Sequence, residues 1–218
     1  ANTNTTFSGQ ITDAAGSTLS LVKNGTGTTI LSGTGANTFD GSVTINSGGA
    51  LNLQKNSALG STAGGTTVAT GGALELQGGI TVAGEALSLS GDGLSTNGAL
   101  RNISGNNTLT GAITLAAATT IKSDADTLTL ATGGITAANQ NLIVNGLGNT
   151  TISGAITTGT GTLAKSGTGT LVLSGANTYT GATTVTAGTL VSQSATGLGT
   201  NAAGTTVSSG ATLALGGG

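Results

Sequence analysis

Across 218 residues the formal net charge is −2 and charged residues make up 6%, so the chain carries neither the basic footprint of a nucleic-acid binder nor an acidic tail. Gly occurs 41 times, while Pro, Cys, His, Met and Trp are absent, which excludes a disulfide framework and thiol chemistry. Hydrophobic residues still reach 36%, as Leu, Ile, Val and Ala in short alternating bursts, a pattern for burial rather than for a flexible linker.

In chain order, the first recurring text is Asn4-Thr5-Thr6-Phe7-Ser8-Gly9-Gln10-Ile11-Thr12, which returns as Asn149-Thr150-Thr151-Ile152-Ser153-Gly154-Ala155-Ile156-Thr157. The stretch KNGTGTTILSGTGANTFDG, Lys23 to Gly41, then returns as KSGTGTLVLSGANTYTG, Lys165 to Gly181. Beyond it, Ala50 to Leu76 aligns without a gap to Thr189 to Leu215. A frame of Asn-Thr, a large apolar residue, any residue and Gly starts at Asn37, Asn107 and Asn177, at equal spacings of about 70 residues. Strand signals of period 2 lie at Ala73 to Leu76, Thr127 to Leu130, Thr170 to Leu173, Thr183 to Thr186 and Thr212 to Leu215, punctuated by Gly-Gly, Asn-Gly and Ser-Gly turns. No stretch carries a helical apolar period.

A shorter beat runs inside the long repeat. Leu51, Leu74 and Leu100 recur roughly 23 to 26 residues apart, as do Leu190 and Leu213, and Val185 and Val207, which is read as coils of about 20 to 24 residues, about three to each long repeat. One such coil has too narrow an apolar face to bury by itself. Stacking coil on coil gives every backbone N–H and C=O a partner about 4.8 Å away and closes a dry interior. The fold expected is all-β, a parallel β-helix (β-solenoid) with essentially no α-helix, of nine or ten coils and about 45 Å long. A β-sandwich leaves the equally spaced motif unexplained, and a propeller blade would carry richer aromatics.

Lys165 to Leu190 resembles the passenger-associated, or autotransporter-associated, β-strand repeat at Lys165, Gly167, Gly169, Thr170, Leu171, Leu173, Asn177, Tyr179, Gly181, Val185 and Gly188. The Lys23 copy resembles it too, with two inserted residues near Thr34 and Gly35. The clearest copies are 23–76 and 165–215, with a degenerate copy near 105–115 that lacks the aromatic, and 1–218 is expected to be a single β-helical repeat domain within a longer protein. The resemblance implies a right-handed β-helical stalk in a bacterial surface or secreted protein, an autotransporter-like passenger, supporting export and display. There is no initiator Met, no signal-peptide pattern and no apolar run of membrane-spanning length.

Candidate sites are few. Lys23 and Lys165 read as solvated residues that limit edge association, and Phe39 and Tyr179 as rings covering turns beside the core. Asn37, Asn107 and Asn177 read as turn residues whose side chains satisfy nearby backbone groups. Asp124 and Asp126 form the nearest approach to a carboxylate pair, expected outward on one face. The other acids, Asp13, Asp40, Glu75, Glu85 and Asp92, are scattered, so no catalytic, cofactor-binding or metal residue is assigned and an enzyme is not expected. The repeated Thr-Thr-[Val/Ile] texts, such as Thr66-Thr67-Val68, lack the second Thr column that an ice-binding face needs. Expected partners are neighbouring coils of the parent protein, a second copy stacked head to tail as in a filament, or a surface glycan or protein; nucleic acid is not among them.

Overall fold

The structure is a computed structural model that describes residues 3–200 and 202–216. Parts of the two terminal stretches, residues 1–2 and 217–218, lie outside the described residues. Every strand pairing among the described residues is parallel. They contain no α-helix, only one 3-10 turn at Leu94–Thr96. The chain is a β-solenoid, as the beat of the sequence implies.

Three faces wind about the axis. The first carries Leu21–Lys23, Val43–Ile45, Thr66–Val68, Leu87–Gly91, the start of Ile113–Ser123, Ile135–Ala137 and Ile156–Thr157. The second stacks ten strands: Thr5–Phe7, Gly27–Leu31, Gly49–Leu53, Ala73–Gln77, Leu100–Ser104, the end of Ile113–Ser123, Leu142–Asn145, Leu163–Lys165, Thr183–Val185 and Thr205–Val207. The third carries Thr81–Val82, Asn107–Leu109, Thr127–Leu130, Asn149–Ile152, Thr170–Leu173, Thr189–Ser192 and Thr212–Leu215. Most strands are short because a Gly-rich corner comes within a few residues; Ile113–Ser123, which contains no glycine, runs on across two faces.

The expected leucine stacks are present. Leu51 pairs with Leu74 and Leu74 with Leu100, while Leu190 pairs with Leu213 and Val185 with Val207. Alternation sends Leu171 and Leu173 inward, both fully buried, and leaves Thr170 and Val172 half-exposed. The shortest coil step, Leu171 to its partner Leu190, is 19 residues, and the longest in regular register, Val82 to Leu109, is 27. The long coil exceeds the expected range because residues 92–98 leave the ladder for the excursion that holds the 3-10 turn. Ser95 and Thr96 both take positive φ there, 52° and 61°, a conformation that a β-branched residue seldom adopts.

The two copies of the long repeat do not lie above one another. From Leu21–Lys23 the first face takes six pairing steps to Ile156–Thr157, and the chain then crosses to the second face before writing the second lysine in Leu163–Lys165. Every element of the second copy is therefore displaced by one face. Gly27–Leu31 lies on the second face and its counterpart Thr170–Leu173 on the third.

Candidate functional site

The lysines overturn their sequence reading. Lys23 is 8% exposed and Lys165 2%, although lysines at these positions are expected in solvent. Each closes the strand that enters the K-x-G-x-G corner, and its ammonium folds back onto the corner's own carbonyls. Lys23 Nζ donates to the carbonyls of Asn24 and Gly25, both at 2.9 Å. Lys165 Nζ donates to Ser166 O at 2.9 Å, Gly167 O at 2.7 Å and Ala187 O, one coil on, at 3.3 Å. Gly25 and Gly167 hold φ of 69° and 74°, which aims consecutive carbonyls at one point and which a side chain at those positions would resist. The lysine thus neutralises a cluster of buried acceptors that the corner creates.

Burial pushes the Lys165 ammonium down to about 8. A lysine whose folded pKa lies below its unfolded value holds its proton more weakly in the native state, so stability rises with pH between about 8 and 10.5. The unfolding midpoint in denaturant is expected to climb from pH 8 to pH 10, by an amount equivalent to at most ~3 kcal/mol from Lys165, and to climb much less in Lys165→Met, where only the weaker effect of Lys55, whose pKa burial also lowers, remains. Measurements stop at pH 10 because burial raises the Tyr179 phenol, and its titration works in the opposite sense above that point.

The asparagines clamp coils rather than local turns. Asn37 Oδ1 accepts Ile11 N–H of the preceding coil at 3.0 Å, and its Nδ2 donates to Ala58 O of the following coil at 2.6 Å. Asn177 repeats both bonds, with Ile156 N–H at 2.8 Å and Gly197 O at 2.6 Å. Each is 2% exposed. Asn107, in the degenerate copy, accepts Ile80 N–H at 2.7 Å and donates to its own corner at Ser104 O and Gly105 O, and to the Asn102 side chain. Lys55 adds a further tie in the first copy, reaching Gly9 O, Gly35 O and Asn37 Oδ1 at 2.8–2.9 Å. In the second copy Ser194 stands in its place and donates to Gly175 O at 2.8 Å.

Phe39 and Tyr179 are fully buried, as their packing role requires. Beside each ring runs a glycine with positive φ: a Cβ at Gly60 would lie 2.3 Å from Phe39 O, and one at Gly199 2.5 Å from Tyr179 O. The extra hydroxyl of the second ring is matched within its own copy. Tyr179 Oη lies 2.7 Å from Thr183 Oγ1, and the residue corresponding to Thr183 beside Phe39 is the near-isostere Val43. Either Tyr179→Phe or Thr183→Val is expected to strand one buried hydroxyl and cost about 1–3 kcal/mol. The double variant, which recreates the Phe39 and Val43 combination, should recover most of that loss in a denaturation cycle.

The carboxylate pair is separated. The strand ends at Ser123, so alternation does not govern the residues beyond it, and Asp126 turns to φ 55° and accepts Gly105 N–H at 2.7 Å. Asp124 instead receives Arg101 at 2.6 Å and Lys122 at 3.1 Å. Arg101 also reaches Glu75 at 3.1 Å. Glu75, Arg101 and Lys122 are cross-strand partners on the second face, so these charges form one ladder across successive coils. In the Thr-Thr-Val texts the first Thr points inward, as Thr66 and Thr183 do at 2% and 1% exposure. Among the described residues no group of three or more acidic side chains gathers as a metal site, and no helix is long and apolar enough to cross a membrane.

A buried carboxylate is the feature that the sequence reading misses. Glu85 is 3% exposed, and Thr66 Oγ1 donates to its Oε1 at 2.7 Å. Burial raises its pKa. It borders a hollow of about 220 Å³ between Asn56–Gly60 and Thr81–Ala83. Its signal in the sequence is that Glu85 stands where Gly41 and Gly111 close the motif in other coils.

The passenger-associated-transport-repeat family matches the chain twice, at residues 21–53 and 163–191. These two stretches contain the corner lysines, the clamping Asn177 and Asn37, and both buried rings. No curated protein and no solved structure matches the chain.

Proposed function

We propose, from two passenger-associated-transport repeats built into a solenoid, that this chain is a structural module of an autotransporter-type passenger: a stalk that spaces and displays other parts of a bacterial surface or secreted protein. The observation that carries this reading is where the motif side chains go. Lys165, Asn177 and Tyr179, and in the first copy Asn37 and Phe39, are all at most 2% exposed and serve to close one coil on the next. A motif spent on closure defines a scaffold and requires no ligand. The whole of 1–218 acts as one repeat domain in this reading, and its work is mechanical rather than catalytic.

The test places the segment between an N-terminal epitope and a C-terminal outer-membrane barrel in a Gram-negative host. The epitope is expected at the cell surface, accessible to antibody and protease, with a folded solenoid beneath it. Variants with both clamps removed, Asn37→Ala with Asn177→Ala, should lower the displayed amount several-fold. Equal display by a disordered Gly/Ser spacer of the same length would remove the ground for the proposal.

A further inference from the structure

Glu85 breaks a column. Register on the first face places it between Gly64 and Gly111, where a Cβ on either glycine would fall within 2.3 Å of a backbone atom of the coil beneath. Coil four opens enough to hold a full carboxylate there. A second departure lies beside it: Val82 stacks on Leu109, which stacks on Leu130, so a side chain smaller than the two next in the stack stands at the hollow. With Oε1 taken by Thr66, Glu85 Oε2 has no partner among the described residues and no cation within ion-pair distance. That oxygen is not among the sealed, unpartnered polar atoms of the core; it opens on the hollow that Glu85 lines, an acceptor free for a ligand's hydrogen.

The hollow continues, through Asn56 and Ser57, into a wider trough of about 460 Å³ that runs past Thr34 and Gln54 to Gly78 and Gly79. Together they reach the size range of small-ligand sites, roughly 300–1,000 Å³. Trough walls built of amide and hydroxyl side chains over glycine backbone supply both donors and acceptors. The polar side chains stand on two adjacent coils, Thr34 on one and Gln54, Asn56 and Ser57 on the next, about 4.8 Å apart along the axis, which suits a short run of units that each carry hydroxyls. The one nearby ammonium, Lys55, gives its three hydrogens to protein acceptors and keeps none for a ligand carboxylate, while Glu85 repels one.

We propose that this trough is a glycan-binding site, in which Glu85 accepts a hydroxyl or ammonium hydrogen from one sugar unit in the hollow and Gln54, Asn56 and Ser57 hold the units beside it. The ligand is a neutral or amino-sugar chain, not a uronate. Phe39 and Tyr179 take no part, being buried. The site does not rest on the stalk reading, and a stalk without it would still display its epitope.

The test titrates the folded protein calorimetrically with three probes: gluco-oligosaccharides, chito-oligosaccharides in acetylated and deacetylated forms, and oligogalacturonate. Saturable binding of at least one neutral or amino probe is expected, and none of oligogalacturonate. Glu85→Gln should weaken binding at least tenfold, and Val82→Leu, which fills the hollow with the side chain found one coil on, should abolish it; circular dichroism and melting check that both remain folded. Glu85→Gly, which restores the column's residue, is the further variant if either fails to fold, and it too should lose binding. Absence of saturable binding to every neutral and amino probe, preference for oligogalacturonate, or binding that survives the folded variants would overturn the proposal.

Discussion

Leu171→Asp is expected to prevent folding, while Thr184→Asp folds normally. Leu171 is fully buried and stacks between Thr150 and Leu190, neither of which carries a charge to meet a carboxylate. Placing an ion in that dry interior costs several kcal/mol even after relaxation, a large fraction of the about 5–15 kcal/mol that a domain has in hand. The damage spreads, because a solenoid coil is supported only by its neighbours. Thr184 sits on the outer side of the second face between Ala164 and Thr206, and a carboxylate there keeps its water, so the change should stay within about 1 kcal/mol. Far-ultraviolet circular dichroism and a denaturant titration read both. Equal behaviour of the two variants would contradict the inward and outward assignment of these strands.

Asn177→Ala is expected to cost about 2–5 kcal/mol, because its removal leaves two buried backbone groups unpaired at about 1–3 kcal/mol each. Those groups are Ile156 N–H below and Gly197 O above. The control is Asn149→Ala: Asn149 also bridges coils, accepting Thr170 N–H at 3.0 Å, but it is exposed and water replaces it, so its loss should cost under about 1 kcal/mol. Amide exchange adds a spatial reading, with the Ile156 N–H losing protection in Asn177→Ala and the Thr170 N–H losing little in the control. A cost below about 1 kcal/mol for both would mean that the clamp is ornamental to stability.

Much of the fold is legible because strand alternation and coil length are both written in the order of residues. Leu51, Leu74 and Leu100 stack as their spacing implies, and Phe39 and Tyr179 pack as isolated rings should. The hidden part depends on which residue of one coil lies above which residue of the next. Lys165 reads as surface because lysine is rarely buried, and the three carbonyls that hold it become visible only when the corner and the coil above are superposed. Asn177 reads as a local turn for the same reason, since its partners are about 20 residues away in either direction. Carrying period 2 past Ser123, where the strand stops, misplaces Asp124 and Asp126. Glu85 reads as one scattered acid, although its intrusion into a glycine column shows when coil four is aligned with its neighbours.

The displacement of the second repeat copy by one face bears on multivalency. Two identical epitopes gain avidity only when one partner can engage both at once, and geometry that forbids this removes the gain entirely. Here the copies lie more than six coils apart and look out from different sides of the rod, so a rigid partner approaching from one side meets the exterior of one copy and never the pair. Duplication of this text therefore adds no valence. A flexible partner would have to span both the axial separation and the turn around the rod, at the entropic cost of a long linker.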